Sequence, residues 1–190
     1  FTIIPLSLIF IYGLTDRSGS FTLSNVLSIF AKDHFKALLL SIILSIVSTA
    51  ICLVMAFPLA LTLKSKKLNK GSLIVFIFIL PMWMNFLLRT LAWLSLLEKN
   101  GIINTILNFL HLPSLNIINT PAAIILGMVY NYLPFMVLPI YNVLEKIDDN
   151  TINAARDLGA NTMQTLTKVI IPLSIPGIVS GITMVFVPEL

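Results

Sequence analysis

Long apolar runs separated by short polar segments make up most of the 190-residue chain. Four of these runs contain no charged side chain other than Arg89: residues 37–63, 72–97, 121–144 and 169–188. A helix needs about 20 apolar residues to cross the hydrocarbon of a bilayer. Each run therefore predicts one complete membrane span, and together they predict an all-α, polytopic transmembrane helical bundle.

Both ends of this bundle are expected to be incomplete. The apolar run 1–14 is too short to span, and it lacks the basic region and small-residue cleavage site of a signal peptide. We interpret it as the outer part of a first helix that is cut by the start of the sequence. At least one further helix is expected after Leu190, so residues 1–190 are interpreted as one transmembrane domain that is a fragment.

Composition agrees with a membrane protein. Hydrophobic residues make up 57% of the chain and charged residues only 11%, whereas soluble domains carry about 25% charged residues. The net charge of +4 comes from Lys and Arg that lie mostly in short loops, so we expect it to reflect membrane topology and not nucleic-acid binding. The single cysteine, Cys52, is interpreted as a small buried hydrophobe, which leaves no disulfide and no cysteine-based metal site.

The distribution of lysines predicts the orientation. The loop 64–71, KSKKLNKG, contains four Lys, whereas the loop 98–120 contains only Lys99. The positive-inside rule places the first loop in the cytoplasm and the second outside. Alternation then places 15–36 outside and 145–168 inside. Three basic residues in the segment 15–36 weaken this assignment without reversing it.

The external loop 98–120 is expected to carry a short helix at the membrane surface. Its apolar stretch, GIINTILNFLHL, is followed by Pro113, and roughly 12 residues cannot span a bilayer. His111 lies at the end of this stretch and His34 lies in the other external segment. Neither has a partner at metal-ligand spacing, so we expect no metal site, cofactor or catalytic histidine.

Signals for helix ends concentrate in the cytoplasmic loop 145–168. They predict a helix with an N-cap aspartate and a hydrophobic staple, a glycine turn, and a second helix that starts with a capping box. In chain order the residues are Ile147, Asp148, Ile152, Gly159, Asn161 and Gln164. A passive connection rarely needs 24 residues of capped helix. The loop is therefore predicted to be a helix-turn-helix that another protein can approach closely over small side chains.

The segment 153–172, NAARDLGANTMQTLTKVIIP, resembles the EAA loop of ABC importer permeases. That pattern is Glu-Ala-Ala, three residues, Gly, nine residues, then Ile-x-Leu-Pro. Four positions match in register, and Asn153 stands where the family usually has Glu; the matches are Ala154, Ala155, Gly159 and Pro172. The resemblance implies that this loop docks into an ATPase subunit and couples ATP hydrolysis to movement of the spans.

Nearly all of the chain resembles the spermidine/putrescine permeases more closely. The stretches that carry this resemblance are 81–104, 131–148 and 154–160. It implies an importer in a bacterial inner membrane, with a partner ABC ATPase, a second permease subunit and an external solute-binding protein. The chain has no G-x-x-x-x-G-K-[ST] phosphate loop and no nucleophile-base-acid set. It is therefore expected not to be an enzyme itself.

Polar and aromatic groups at membrane depth are candidates for a solute pathway. The candidates are Trp83, Asn85, Tyr130, Asn131 and Glu189. An alkylammonium group would be attracted to the Trp and Tyr faces, and it would donate to backbone carbonyls freed by Pro134 and Pro139. The alternative is that the aromatic side chains pack or mark the membrane interface.

Two charged residues bear on the solute. Glu189 follows residue 169 by 20 residues, or roughly 30 Å of helix, which places it near the external mouth. There it would attract cations or pair with Arg89. An unpaired Arg89 would instead favour an anion, or it would extend to the interface while its stem stays in the apolar layer.

Other functions stay open at this point. The permease could carry another small solute, or the chain could be an ion-coupled secondary transporter or a channel, which would need no ATPase. The capped loop 145–168 favours the ATPase-coupled permease, because a secondary carrier has no use for such a docking surface. A membrane-embedded enzyme would require catalytic groups that this sequence does not supply.

Reporter fusions test the topology. Fusions at Lys67 and Gln164 should report a cytoplasmic location, and a fusion at Asn108 should report an external one, because four lysines hold the first loop inside. The measurement is paired alkaline phosphatase and fluorescent-protein activity at each site. An external Gln164 would contradict the coupling role of the loop.

Overall fold

The computed structural model describes residues 3–16, 19–23, 31–65 and 83–190. Helices dominate these residues, and the described part holds no strand beyond one isolated antiparallel bridge between Thr15 and Phe21. In chain order the helices are α1 Ile3–Gly13, α2 Lys32–Ser65, α3 Phe86–Leu97, α4 Ile102–Phe109, α5 Pro121–Lys146, α6 Asp149–Asp157, α7 Thr162–Thr165 and α8 Ile171–Glu189, with a π-helical turn Leu166–Ile170 between the last two.

Three helices are long and apolar enough to cross a membrane. They are His34–Ser65, Pro121–Lys146 and Thr162–Glu189. They confirm three of the four predicted spans. The first part of the predicted span 72–97 and most of the loop 64–71 lie outside the described residues, and α3 forms the remainder of that span.

The chain divides into two compact units. The first, Phe1–Ile43, contains α1, which buries none of its residues. The second, Leu44–Leu190, contains the hydrophobic core. Within the second unit many large apolar side chains point outward, such as Val54 (73% exposed) and Val179 (56% exposed). Such exposed apolar surface is expected of helices that face lipid.

The core of the second unit forms where α2, α5 and α8 meet. Helix α5 contributes the largest buried side chains, among them Met136, Ile140 and Leu144. Helix α2 contributes only small residues at every fourth position: Cys52, Ala56 and Ala60. Spans approach each other closely over such small residues, since lipid provides no hydrophobic drive for their association. Cys52 is fully buried, as predicted.

Two glycines bring α8 against α5. A methyl group added at Gly177 would lie 2.8 Å from the carbonyl oxygen of Pro139, and one added at Gly181 would lie 2.7 Å from the sulfur of Met136. Both glycines belong to a buried stripe of α8 that ends at Glu189; its members are Ser174, Gly177, Gly181, Val185 and Glu189. These two glycines therefore allow α8 to pack closely against α5.

Prolines lie inside the spans without ending them. Helix α2 continues through Pro58, and α5 continues through Pro134 and Pro139. Membrane helices tolerate such residues because neighbouring groups satisfy the freed backbone atoms.

The last span begins earlier than the sequence predicted. Its helix starts at Thr162 and not at residue 169, because α7 continues through the π-helical turn into α8. In that turn the N–H of Ile171 donates to the carbonyl of Leu166, five residues back. The second helix of the predicted helix-turn-helix is therefore the inner end of the last span and not a separate element.

The glycine contact predicts a position-specific loss of stability. Gly177→Ala should lower the free energy of unfolding by about 1–3 kcal/mol, because its methyl group meets a backbone oxygen that cannot move aside cheaply. Gly127→Ala in α5 is the matched control, since a methyl group there meets nothing within 4 Å. The measurement is thermal unfolding of the purified transporter complex. Equal effects of the two substitutions would contradict the close contact.

Candidate functional site

The first helix of the loop 145–168, α6, begins as its sequence predicts. The side chain of Asp148 caps it by accepting a hydrogen bond from the N–H of Asn150 at 3.0 Å. Ile147 is buried in the core, and Ile152 packs against the same cluster. The cap and this apolar anchor set the angle at which α6 leaves the end of α5.

Gly159 ends α6 in the left-handed region, with φ of +85°. Its N–H donates to the carbonyl of Arg156 at 2.9 Å, and the N–H of Ala160 donates to the carbonyl of Ala155 at 3.1 Å. This pair of bonds is a Schellman motif. An added Cβ would meet nothing within 4 Å. The position therefore favours glycine for its backbone conformation and not for lack of space.

The predicted capping box is present at the start of α7. The N–H of Gln164 donates to the Asn161 side chain at 2.8 Å, and the N–H of Asn161 donates to the Gln164 side chain at 3.0 Å. These two bonds satisfy two helix-end donors reciprocally. The turn between α6 and α7 thus has a hydrogen-bonded helix cap on each side.

The turn presents an exposed surface that includes apolar side chains. Leu158 is 89% exposed and Met163 is 66% exposed. Asn153 and Ala154 are exposed on α6, while Ala155 is half-buried. The structure thus brings four of the five predicted coupling residues together on α6 and its turn: Asn153, Ala154, Ala155 and Gly159. The fifth, Pro172, lies beyond the π-helical turn in the first turn of α8.

Lys64 ties this loop to the inner end of α2. Its ammonium nitrogen donates to the carbonyl oxygen of Ile147 at 2.8 Å. Lys64 and Asp149 also line two neighbouring crevices in the surface. The sequence marked Lys64 only as one of four lysines that set the orientation. Nothing in the sequence pattern indicated that Lys64 contacts Ile147, the residue before the Asp148 cap.

Arg89 joins α3 to α5. The guanidinium is buried, and it donates to the side-chain oxygen of Asn131 at 2.9 Å and to the carbonyl oxygen of Met84 at 3.1 Å. One helical turn further along α3, the Trp93 ring meets the Tyr130 ring edge-on, with centroids 5.1 Å apart. Asn131 and Tyr130 therefore hold α3 in place, and Asn131 does so through its side-chain oxygen.

The two pathway candidates before α3 have different surroundings. The side chain of Asn85 accepts a hydrogen bond from the N–H of Leu87 at 2.9 Å and caps α3. Trp83 is 76% exposed. Asn85 is exposed as well, so both side chains are accessible.

Glu189 lies buried against hydroxyl groups of α2. Ser48 and Thr49 both donate to its Oε2 atom, Thr49 at 3.4 Å. Ser45 donates to the backbone carbonyl of Glu189 at 2.8 Å. Glu189 and Arg89 thus have different partners, so the pairing considered from the sequence is not formed.

Sequence reasoning missed the three hydroxyl residues of α2. Ser45, Ser48 and Thr49 continue the small-residue stripe of Cys52 and Ala56 at helical spacing. That spacing was the available signal, since hydroxyls on a buried face indicate a polar partner on the facing helix. The partner itself lies 140 residues away in the chain from Thr49.

The external loop is also organised by one buried side chain. The Asn104 amide nitrogen donates to the carbonyls of Glu98 and Leu115, and its oxygen accepts from the N–H of Leu115 at 2.7 Å. Helix α4 ends at Phe109, and His111 follows it with a positive φ of 56°. The short helix predicted in the loop 98–120 is therefore present. Among the described residues, no three His, Cys, Asp or Glu side chains form a metal-binding group.

Comparison with known proteins gives a consistent assignment. Residues 2–188 match the family described as "Binding-protein-dependent transport system inner membrane component". The chain is 36% identical to the spermidine/putrescine transport system permease protein PotB of Haemophilus influenzae, over all of this chain and 69% of the relative. It is 38% identical to PotB of Escherichia coli, over 90% of this chain and 62% of the relative.

A third relative is less similar. The inner membrane ABC transporter permease protein YdcU of Escherichia coli is 31% identical, over 87% of this chain and 57% of the relative. The chain thus spans between 57% and 69% of the length of these three proteins. The family match covers almost every described residue, including the capped loop and the three spans. This chain belongs to the family of binding-protein-dependent transport system inner membrane components.

Proposed function

We propose that this chain is the membrane-spanning permease subunit of an ATP-driven importer for polyamines in a bacterial inner membrane. The observation that carries the proposal is the cytoplasmic loop, an exposed and doubly capped turn that continues without a break into a membrane span. The identity of 36–38% to two permeases named for spermidine and putrescine supports the solute.

The loop is proposed to receive the movement of a separate ATPase subunit. Exposed apolar side chains at Leu158 and Met163 offer area for docking, and the Gly159 turn holds them at a fixed angle. A push on the turn would pass into α8, because α7 and α8 form one helix from Thr162 to Glu189. Lys64 would pass the same movement to α2 through its bond to Ile147.

The solute is proposed to pass between this chain and a second permease subunit, after delivery by an external binding protein. Trp83, Tyr130 and Glu189 are the pathway candidates whose chemistry suits a cationic amine: two aromatic faces and one carboxylate. Asn131 contributes through its contact with Arg89, and Asn85 contributes by capping α3. The last two residues are therefore proposed to shape the pathway and not to line it.

Competitive uptake tests the solute. Cells that express the full transporter should accumulate labelled spermidine, and excess putrescine should reduce that uptake severalfold, because both amines present primary ammonium groups. Sulfate and neutral amino acids at the same excess should leave uptake unchanged. If sulfate or an amino acid competes while putrescine does not, the polyamine assignment is wrong and the permease assignment stands alone.

Substitution of Gly159 tests the coupling. Gly159→Val should cost about 1–2 kcal/mol in the left-handed conformation and turn the docking surface away from the ATPase. The expected result is a complex that hydrolyses ATP with at least severalfold less spermidine transported per ATP. Gly159→Asn should retain more coupling, because asparagine tolerates this conformation better. Gly127→Ala in α5 is the control, because its added methyl group meets nothing within 4 Å. Val is not used there, since a β-branched residue would perturb the helix itself.

One result for Gly159→Val would contradict the coupling role. Unchanged transport per ATP in Gly159→Val, with normal amounts of assembled complex, would show that the angle of this turn does not matter. Loss of assembly in both Gly159 variants would instead indicate that the turn is required for docking as such.

A further inference from the structure

Glu189 and the hydroxyl groups of α2 form a buried polar site within the spans. The carboxylate side chain is only 7% exposed, and Ser45 and Ser48 are completely buried. Ser48 and Thr49 both approach the same carboxylate oxygen, Oε2. The other oxygen, Oε1, is buried and accepts no hydrogen bond from any residue that the structure describes. The site therefore has an acceptor without a donor.

An ionised carboxylate in a low-dielectric interior costs several kcal/mol unless a cation or further donors compensate for it. Two hydroxyl donors on Oε2 satisfy part of its capacity and leave the lone pairs of Oε1 unused. Where the carboxylate is ionised, a compensating group from outside the described residues would carry N–H or O–H donors, or positive charge, or both.

We infer that Glu189, Ser48 and Thr49 form a binding site for a primary ammonium group of the solute. This inference rests on the proposed import of polyamines and specifies where one amine end is bound. A primary ammonium has three N–H donors. They match Oε1 and the two hydroxyl oxygens, which can accept a hydrogen bond as well as donate one.

A divalent metal fits this site less well. Calcium takes six to eight oxygen ligands, and magnesium is bound through one or two carboxylates with several waters. The described residues supply one carboxylate here and no metal-binding group of three acids or histidines. A charge-assisted N–H to carboxylate bond needs only one acid.

The depth of the site suits capture from outside. Ser48 lies 17 residues before Ser65, the inner end of α2, which places it about 25 Å from that end at 1.5 Å per residue. In a hydrocarbon layer about 30 Å thick, this is the outer half of the membrane. An amine entering from the external side would reach the site early in its passage.

The hydroxyls also hold Glu189 in position. Ser45 donates to the Glu189 carbonyl at 2.8 Å, so the end of α8 is bound to α2 through the backbone as well as the side chain. The carboxylate is thus pre-oriented, and binding an ammonium group would cost little side-chain conformational entropy of Glu189. Ser45 is assigned a positioning role, since its bond does not involve the carboxylate.

Direct binding to the complete transporter complex in lipid nanodiscs tests the site. The Kd for spermidine is measured by titration calorimetry without the external binding protein. Glu189→Gln, which keeps the shape of the side chain and loses its charge, should raise this Kd at least about tenfold. Glu98→Gln is the matched control: it removes an exposed external carboxylate and should leave the Kd within about twofold.

A chemical series separates recognition from general attraction. Fully N-methylated putrescine keeps its two charges but has no N–H donors, so the native complex should bind it at least about tenfold more weakly than putrescine. Glu189→Gln should bind the two amines about equally. Thr49→Val should reduce the preference for putrescine, and Ser180→Ala, whose hydroxyl bonds within its own helix, should not.

The outcomes separate this inference from the proposed function. If the native complex neither binds nor transports any amine, the polyamine assignment fails. If it does both and Glu189→Gln binds spermidine with an unchanged Kd, only the site is wrong. If Glu189→Gln and Thr49→Val lower the yield of assembled complex, while the complex that does assemble binds spermidine with an unchanged Kd, the ammonium belongs to a lysine of the partner permease and the solute site is overturned.

Discussion

The contact of α8 with α5 at Gly177 determines where the functional parts of this chain lie. An added methyl group would approach the Pro139 carbonyl to 2.8 Å, so the two helices meet almost backbone to backbone. The capped loop connects the inner ends of these same helices, and Glu189 lies at the far end of the same buried stripe of α8. One close contact thus positions the capped turn at one end of the span and the buried carboxylate at the other.

The last span is one continuous helix that contains an irregular turn. Helix formation is unbroken from Thr162 to Glu189, yet the π-helical turn Leu166–Ile170 interrupts the regular hydrogen bonding just before Pro172. Such turns and prolines are where membrane helices bend. Gly177 lies only five residues after Pro172, so this irregular turn comes directly before the part of α8 that packs against α5. Pro172, the proline of the EAA-like segment, lies directly after this turn.

The local features of the loop could be predicted from sequence, and the contacts between helices could not. Asp148, Gly159 and the Asn161 capping box act through neighbours within a few residues, so their patterns are visible along the chain. Lys64 reaches Ile147 across 83 residues, and the Thr49 hydroxyl reaches Glu189 across 140. Packing alone determines such partners. The cap that Asn85 forms on α3 was likewise not visible in the sequence, because it required knowing where that helix begins.

The separation of Arg89 from Glu189 bears directly on the solute. A direct ion pair would have cancelled both charges and left the pathway without attraction for a cation. Instead neutral oxygens of Asn131 and Met84 hold the guanidinium between α3 and α5, while hydroxyls of α2 hold the carboxylate. Hydroxyls supply hydrogen bonds without opposing charge, so the negative charge of Glu189 is oriented but not neutralised by them. A carboxylate held in this way attracts a cation more strongly than one that is already paired with arginine.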